Sequence, residues 1–123
     1  ADAQDLSAFA DSSLTAMTMT FGIMFPPSPT KVVKEIRRVL APGGVAVICT
    51  WHYNDLAVDL VPELAHALMG KPKFMDLFPE AMKFGQEGFM RRLFRGDLEE
   101  GEGIFKDEDI EAKFVSGTGT VKP

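Results

Sequence analysis

Ser28-Pro29-Thr30-Lys31-Val32-Val33-Lys34-Glu35-Ile36-Arg37-Arg38-Val39-Leu40-Ala41-Pro42-Gly43-Gly44-Val45-Ala46-Val47-Ile48-Cys49-Thr50-Trp51 is the stretch whose reading decides the fold. Ser28 suits a helix cap, and Pro29 suits the first helical position, where its missing N–H removes no bond. Val32, Val33, Ile36, Val39 and Leu40 recur at helical spacing and form one apolar stripe. Lys31, Lys34, Glu35, Arg37 and Arg38 occupy the rest, with Lys31 and Glu35 four apart. Pro42-Gly43-Gly44 predicts the helix stop, because proline cannot continue a helix and glycine tolerates positive φ. Val45 to Trp51 is then a short apolar, β-rich run with little alternation, the pattern of a strand covered on both faces.

Upstream, Leu14 to Phe21 alternates threonine with larger apolar groups. Thr15, Met17, Met19 and Phe21 fall on one side of a strand, and Leu14, Ala16, Thr18 and Thr20 on the other. Both sides are expected to be largely buried, and Gly22 with Pro26-Pro27 ends the strand. Strand, helix and strand in this order make a βαβ crossover, for which a right-handed connection is expected. The fold class is therefore α/β.

Downstream, Leu56 to Met69 reads as a helix with Leu60, Leu64 and Leu68 four apart and Gly70 as its stop. Pro62 suggests that its regular part starts there. Phe74, Met75, Leu77, Phe78, Met82, Phe84, Phe89, Met90, Leu93 and Phe94 follow, broken by Pro72, Pro79, Gly85, Gly88 and Gly96. Short helices packed as a lid over the sheet account for this pattern. Arg91, Arg92 and Arg95, followed by Asp97, Glu99 and Glu100, read as a solvated helical face. Asp97 to Glu111 is acidic, and Val115 to Pro123 is small and polar, a weakly ordered tail or an edge strand. The chain divides into a sheet-forming part (1–55), a helical lid (56–96) and an acidic, small-residue tail (97–123).

The 123 residues suffice for one domain with a modest core. A formal net charge of -5 argues against a basic nucleic-acid footprint. No run approaches the length of a membrane span, and no basic segment leads into an apolar signal core. The one cysteine, Cys49, cannot pair internally, which suits a reducing compartment and predicts a cytoplasmic protein. Within an apolar strand it reads as a small buried hydrophobe. His66 has no cysteine or second histidine at ligand spacing, so no metal site is expected.

Three segments carry a resemblance to a known family. Asp2-Ala3, with Leu6, Phe9 and Asp11-Ser12-Ser13-Leu14, resembles the acidic-Ala loop and the lead-in to the fourth strand of class I S-adenosylmethionine-dependent methyltransferases, small-molecule type. Thr18-Met19-Thr20-Phe21-Gly22 resembles the end of that strand. Glu35 to Gly44 is similar to the family's E-x-x-R-V-L-x-P-G-G signature before the fifth strand. The likeness covers roughly the first half of the chain. Thr15 stands where the family usually has aspartate, and Ala8 where it has proline. In the family, the first strand and its glycine-rich turn come ahead of this loop, and Gly117-Thr118-Gly119 is no substitute for them. The resemblance therefore implies the C-terminal part of a mostly parallel, Rossmann-like methyltransferase fold without its N-terminal glycine-rich motif.

By the same resemblance the Asp2 carboxylate accepts from an adenine amino group, and the Ala3 N–H meets a ring nitrogen. Thr20 and Phe21 complete the cofactor-binding candidates, with Gly22, Trp51 and Tyr53 as substrate-binding candidates. In open α/β sheets ligands bind outside the carboxyl ends of the strands, which is where these residues fall. His52, next to Trp51, is a candidate general base for a hydroxyl acceptor, since imidazole titrates near neutrality. Against each stands a plainer reading: Phe21 and Trp51 as packing, His52 as a surface residue, and the phenylalanine–methionine cluster as a lid core or interface.

Two functions follow. One is methyl transfer from S-adenosylmethionine to a small, fairly apolar molecule, by the C-terminal part of an incomplete or split enzyme. The other is a truncated, non-catalytic relative serving as a binding or assembly module. In either, one edge of Leu14–Phe21 lacks its neighbour, and an unpaired apolar edge tends to find another chain. A homo-oligomer or a partner chain covering that edge is expected, with no nucleic-acid or membrane partner.

Overall fold

The computed structural model describes residues 2–52, 64, 66–70, 79–98 and 103–113. Their elements are β1 (Leu14–Thr20), α1 (Pro29–Val39), β2 (Leu40–Cys49), α2 (Pro79–Met82), a 3-10 turn (Lys83–Gly85), α3 (Phe89–Arg95) and a second 3-10 turn (Asp107–Asp109). Together they form a parallel two-stranded sheet flanked by helices, a partial α/β Rossmann-like unit.

The start of α1 follows the expected chemistry. Ser28 Oγ accepts from the Lys31 N–H at 3.4 Å, Pro29 opens the helix, and Arg37 and Arg38 close it, where cations meet the negative helix end. Its stripe is fully buried: Val32, Val33, Ile36 and Val39 have no exposed surface.

The stop differs from expectation. α1 ends at Val39, Leu40 is already extended (φ -69, ψ 126), and β2 runs from Leu40 to Cys49 with Pro42-Gly43-Gly44 inside it. Leu14 pairs with Leu40 and Ala16 with Val45, so residues 41–44 bulge out of the register. Gly43 takes φ +77, and a Cβ at Gly44 would lie 2.9 Å from both the Leu14 and Ala41 carbonyl oxygens. Glycine here permits a close crossing of two strands, beyond merely breaking a helix.

From Ala16 onward the register is regular, pairing Met17 with Ala46, Thr18 with Val47, Met19 with Ile48 and Thr20 with Cys49. Met17, Met19, Ala46 and Ile48 pack against a core of Ile23, Met24, Val32, Val33, Ile36, Leu40, Ala81, Phe84 and Leu93. The opposite side departs from the expectation of two buried faces. Val45 is 58% exposed and Val47 51% exposed, and Ala16, Thr18 and Thr20 are exposed with them. Cys49 lies on this open side too, so it is exposed and not the buried hydrophobe expected. α1, α2 and α3 pack on the other face, α3 directly against α1.

Part of the aromatic segment joins that single core. Phe84 and Phe89 meet edge to face at 5.0 Å, and Thr50 Oγ1 donates to the Phe84 carbonyl at 3.2 Å, tying the end of β2 to the 3-10 turn. The basic cluster on α3 is more than a solvated face. Arg91 pairs with Asp107 at 2.7 Å and donates to the Ile110 carbonyl at 2.8 Å, and Arg95 reaches Asp107 at 3.4 Å. With backbone bonds Ile104 N to Arg95 O and Phe105 N to Phe94 O, these hold residues 104–110 along α3. Residues 66–69 are helical and Gly70, φ +61, donates to the His66 carbonyl at 3.0 Å, as a stop should. Leu64 is helical too, while the rest of the Leu56–Met69 helix, Phe74 to Phe78 and Val115 to Pro123 lie outside the described residues.

Candidate functional site

Parallel strands joined through a helix bring the carboxyl ends of β1 and β2 to one edge. Phe21 and Gly22 leave β1 there, and Trp51 and His52 leave β2. The Phe21 N–H donates to the Cys49 carbonyl at 2.9 Å, extending the ladder one step past Thr20. Phe21 then turns to φ +53, an outlier for a bulky residue that ordinary packing does not require. Next to it, a Cβ at Gly22 would meet Met19 Cγ at 3.0 Å, so the chain passes close over the Met19 side chain.

The Phe21 and Trp51 rings lie 5.7 Å apart with planes tilted 30°, and Phe25 meets Trp51 edge-on at 6.3 Å and 86°. Phe21 keeps 43% and Phe25 54% of its surface exposed. Sequence reading had picked out Phe21 and Trp51 but missed Phe25, which sits in a loop between glycine and prolines with no periodic signal. His52 is exposed beside Trp51, and Tyr53 lies outside the described residues.

The Asp2–Ala3 loop reaches the same end of the sheet. Gln4 Oε1 accepts from the Ser28 N–H at 3.0 Å, pinning the loop to the start of α1, and Ala3 packs against the core. Asp2 is exposed, and its Oδ1 accepts from the Gln4 N–H at 2.9 Å. One carboxylate oxygen is thus used locally, and the second is at hand for a donor.

What holds the loop was absent from the sequence reading, which placed Arg38 only among the residues off the apolar stripe of α1. Arg38 Nε and Nη2 donate to the two Glu35 carboxylate oxygens at 2.8 and 2.7 Å. Nη1 donates to Asp11 at 2.6 Å and to the Phe9 carbonyl at 3.1 Å, and Nη2 to the Leu6 carbonyl at 3.0 Å. Glu35 Oε2 also accepts from the Leu6 N–H at 2.8 Å. The Arg38 fork and this N–H pull the Glu35 carboxyl down from 4.5 to about 2. The Glu35–Arg38 pair inside the E-x-x-R-V-L stretch is therefore a clamp on residues 6–11. Its signal lay in the i,i+3 spacing of opposite charges, but its backbone partners stand about thirty residues away.

Among the described residues no group of three histidine, cysteine, aspartate or glutamate side chains is placed to hold a metal, and no helix is long and apolar enough to cross a membrane.

Comparison with known proteins agrees with this geometry. Residues 1–48 match the family model described as a methyltransferase domain. A demethylmenaquinone methyltransferase of Clavibacter sepedonicus is 49% identical over 49 residues, covering 40% of this chain and 20% of the relative. One from Mycobacterium sp. (strain KMS) is 27% identical over 97 residues, 69% of this chain and 42% of the relative. The mitochondrial 2-methoxy-6-polyprenyl-1,4-benzoquinol methylase of Drosophila melanogaster is 34% identical over 82 residues, 58% of this chain and 27% of the relative. The chain spans less than half the length of each of these curated relatives. With a parallel strand–helix–strand unit and a matched segment ending at Ile48, residues 1–48 are similar to part of a methyltransferase domain.

Proposed function

We propose that this chain takes part in methyl transfer from S-adenosylmethionine to a small, fairly apolar acceptor, as the C-terminal part of an incomplete or split methyltransferase. The observation that carries the reading is the aromatic group at the carboxyl edge of the two parallel strands, where Phe21 holds a strained backbone beside Trp51. The quinol-methylating relatives support an apolar acceptor.

Bound S-adenosylmethionine would supply an electrophilic methyl group whose S–CH3 bond breaks as the acceptor forms its own bond to carbon. The chain's residues would do the rest. Asp2 accepts from the adenine amino group and the Ala3 N–H donates to the ring, with the Glu35–Arg38 clamp fixing the loop between them and β1. Thr20 and Phe21 border the cofactor, and Gly22, Trp51 and Tyr53 border the acceptor. His52 takes the acceptor's proton where the acceptor must lose one. Such a site works mainly by alignment of acceptor and methyl group. A glycine-rich segment from the same polypeptide or another chain is required to hold the methionine end.

A second reading, a non-catalytic assembly module, draws on the open face bearing Val45 and Val47. The test is protein isolated natively with any accompanying chain, given S-adenosylmethionine labelled in the methyl group and a naphthoquinol. Label in the quinol is the expected result. A preparation that neither binds the cofactor in calorimetry nor labels the quinol would overturn the enzyme reading in favour of the module.

A further inference from the structure

Three aromatic rings at the carboxyl edge form a corner around Trp51. Phe21 meets it in a tilted contact at 5.7 Å and 30°, and Phe25 stands perpendicular at 6.3 Å and 86°. Trp51 packs against the core, and two features separate Phe21 and Phe25 from it. Phe21 and Phe25 leave about half of their surfaces open, whereas Phe84, which serves the core, is 5% exposed. In addition, Phe21 occupies a left-handed backbone, φ +53, that glycine would adopt without strain, and Gly22 stands immediately next in the chain. A position that would be easier with no side chain, yet carries a large exposed ring, points to use of the ring itself.

We infer that Phe21, Phe25 and Trp51 form a stacking corner that receives a planar aromatic ring of the acceptor, with Phe25 as a specificity-determining residue. The inference deepens the methyl-transfer reading and rests on it. A flat ring gains face contact from one open phenylalanine and edge contact from the other, because the negative faces of aromatic rings attract positive ring edges. A saturated ring of equal size finds the same apolar area but no such complementarity. The corner thus favours flat over puckered acceptors, and does so through ring faces more than through hydrogen bonds.

The chain has one tryptophan, which makes Trp51 fluorescence a reporter at the corner itself. Titration of the chain with 2-methyl-1,4-naphthoquinone should quench Trp51 saturably, and a decalin diol of similar size should bind far more weakly. Phe25→Leu, which keeps apolar area and removes the ring, should weaken the quinone about three- to ten-fold, the worth of one aromatic pair. Phe21→Gly should weaken it similarly while leaving the thermal midpoint unchanged or higher, since the strain is relieved. Linear, non-saturating quenching, equal binding of the saturated diol, or a Phe25→Leu variant that binds the quinone as tightly as the parent would each overturn the inference. Calorimetry with S-adenosylhomocysteine on the natively isolated protein reads the cofactor site separately. Intact cofactor binding with no quinone response therefore overturns the corner alone, and loss of cofactor binding overturns the reading beneath it.

Discussion

The two faces of the sheet are made of similar residues and have different fates. Met17, Met19, Ala46 and Ile48 point toward α1 and the helices beyond it, where they share a core with Ile36 and Leu93. Ala16, Thr18, Thr20, Val45, Val47 and Cys49 alternate with them and lie open. Both sets are small, apolar or β-branched, and a parallel sheet is normally covered on both sides. Composition of a strand therefore reports that its faces suit burial, and says nothing about which face the described helices cover.

Substitutions can break this contrast, beginning with one that strikes both faces together. Gly44→Val should abolish the β1–β2 pairing, because its Cβ would lie 2.9 Å from two backbone carbonyl oxygens that cannot both move. The expected loss is roughly 3 kcal/mol or more, enough to unfold a small domain, and circular dichroism would show it. Ile36→Ala removes a fully buried side chain from the cover of the inner face and should cost about 2–4 kcal/mol in denaturant unfolding. A cost below 1 kcal/mol would mean that the inner face is less tightly covered than it looks.

Acid should loosen the clamp before it disturbs either face. The folded Glu35 carboxyl titrates at about 2 against an ordinary 4.5, so its stabilising contribution is complete above about pH 4.5 and fades as pH falls towards 2. Protection of the Leu6 and Ser12 amides against hydrogen exchange, referred to the intrinsic rate at each pH, should fall across this range. Glu35→Gln should exchange faster at neutral pH and lose most of that acid dependence.

The open face supplies the smallest effect and the sharpest test. Val47→Thr should change the stability of the isolated chain by less than about 0.5 kcal/mol. Native Cys49 should react with a thiol reagent nearly as fast as in the unfolded chain, since it is exposed. In natively isolated protein, slow Cys49 labelling and a larger cost of Val47→Thr would mean that another surface covers this side.

Much of the architecture could be read in advance from local chemistry. Ser28, Pro29 and the valine–isoleucine stripe specify α1 within one helix length, and the threonine–methionine alternation specifies β1. The bulge at Ala41–Gly44 could not, because proline and glycine after a helix signal a stop whether the chain turns or enters a strand. The role of Arg38 was not legible for a related reason: its acceptors at Leu6, Phe9 and Asp11 lie 27 to 32 residues away, beyond the reach of any helical pattern. At the candidate site, Phe21 and Trp51 were legible from their place after strands. Phe25 and the strain at Phe21 were not, since a loop conformation leaves no period in the sequence.

The strap of residues 104–110 has a consequence for how the molecule breathes. It joins the fold through two backbone hydrogen bonds, the Phe94–Phe105 contact at 5.8 Å, the packing of Ile104 and Phe105 against the core, and the arginine ties to Asp107 and the Ile110 carbonyl. Ties of this kind at the surface are screened by salt, and a segment so attached opens at a fraction of the free energy of global unfolding. The strap is thus the natural first step of sub-global opening, peeling from α3 while the strand–helix–strand unit stays closed. Its lifetime in the docked state should shorten as ionic strength rises, making it a gauge of ionic conditions that leaves the sheet untouched.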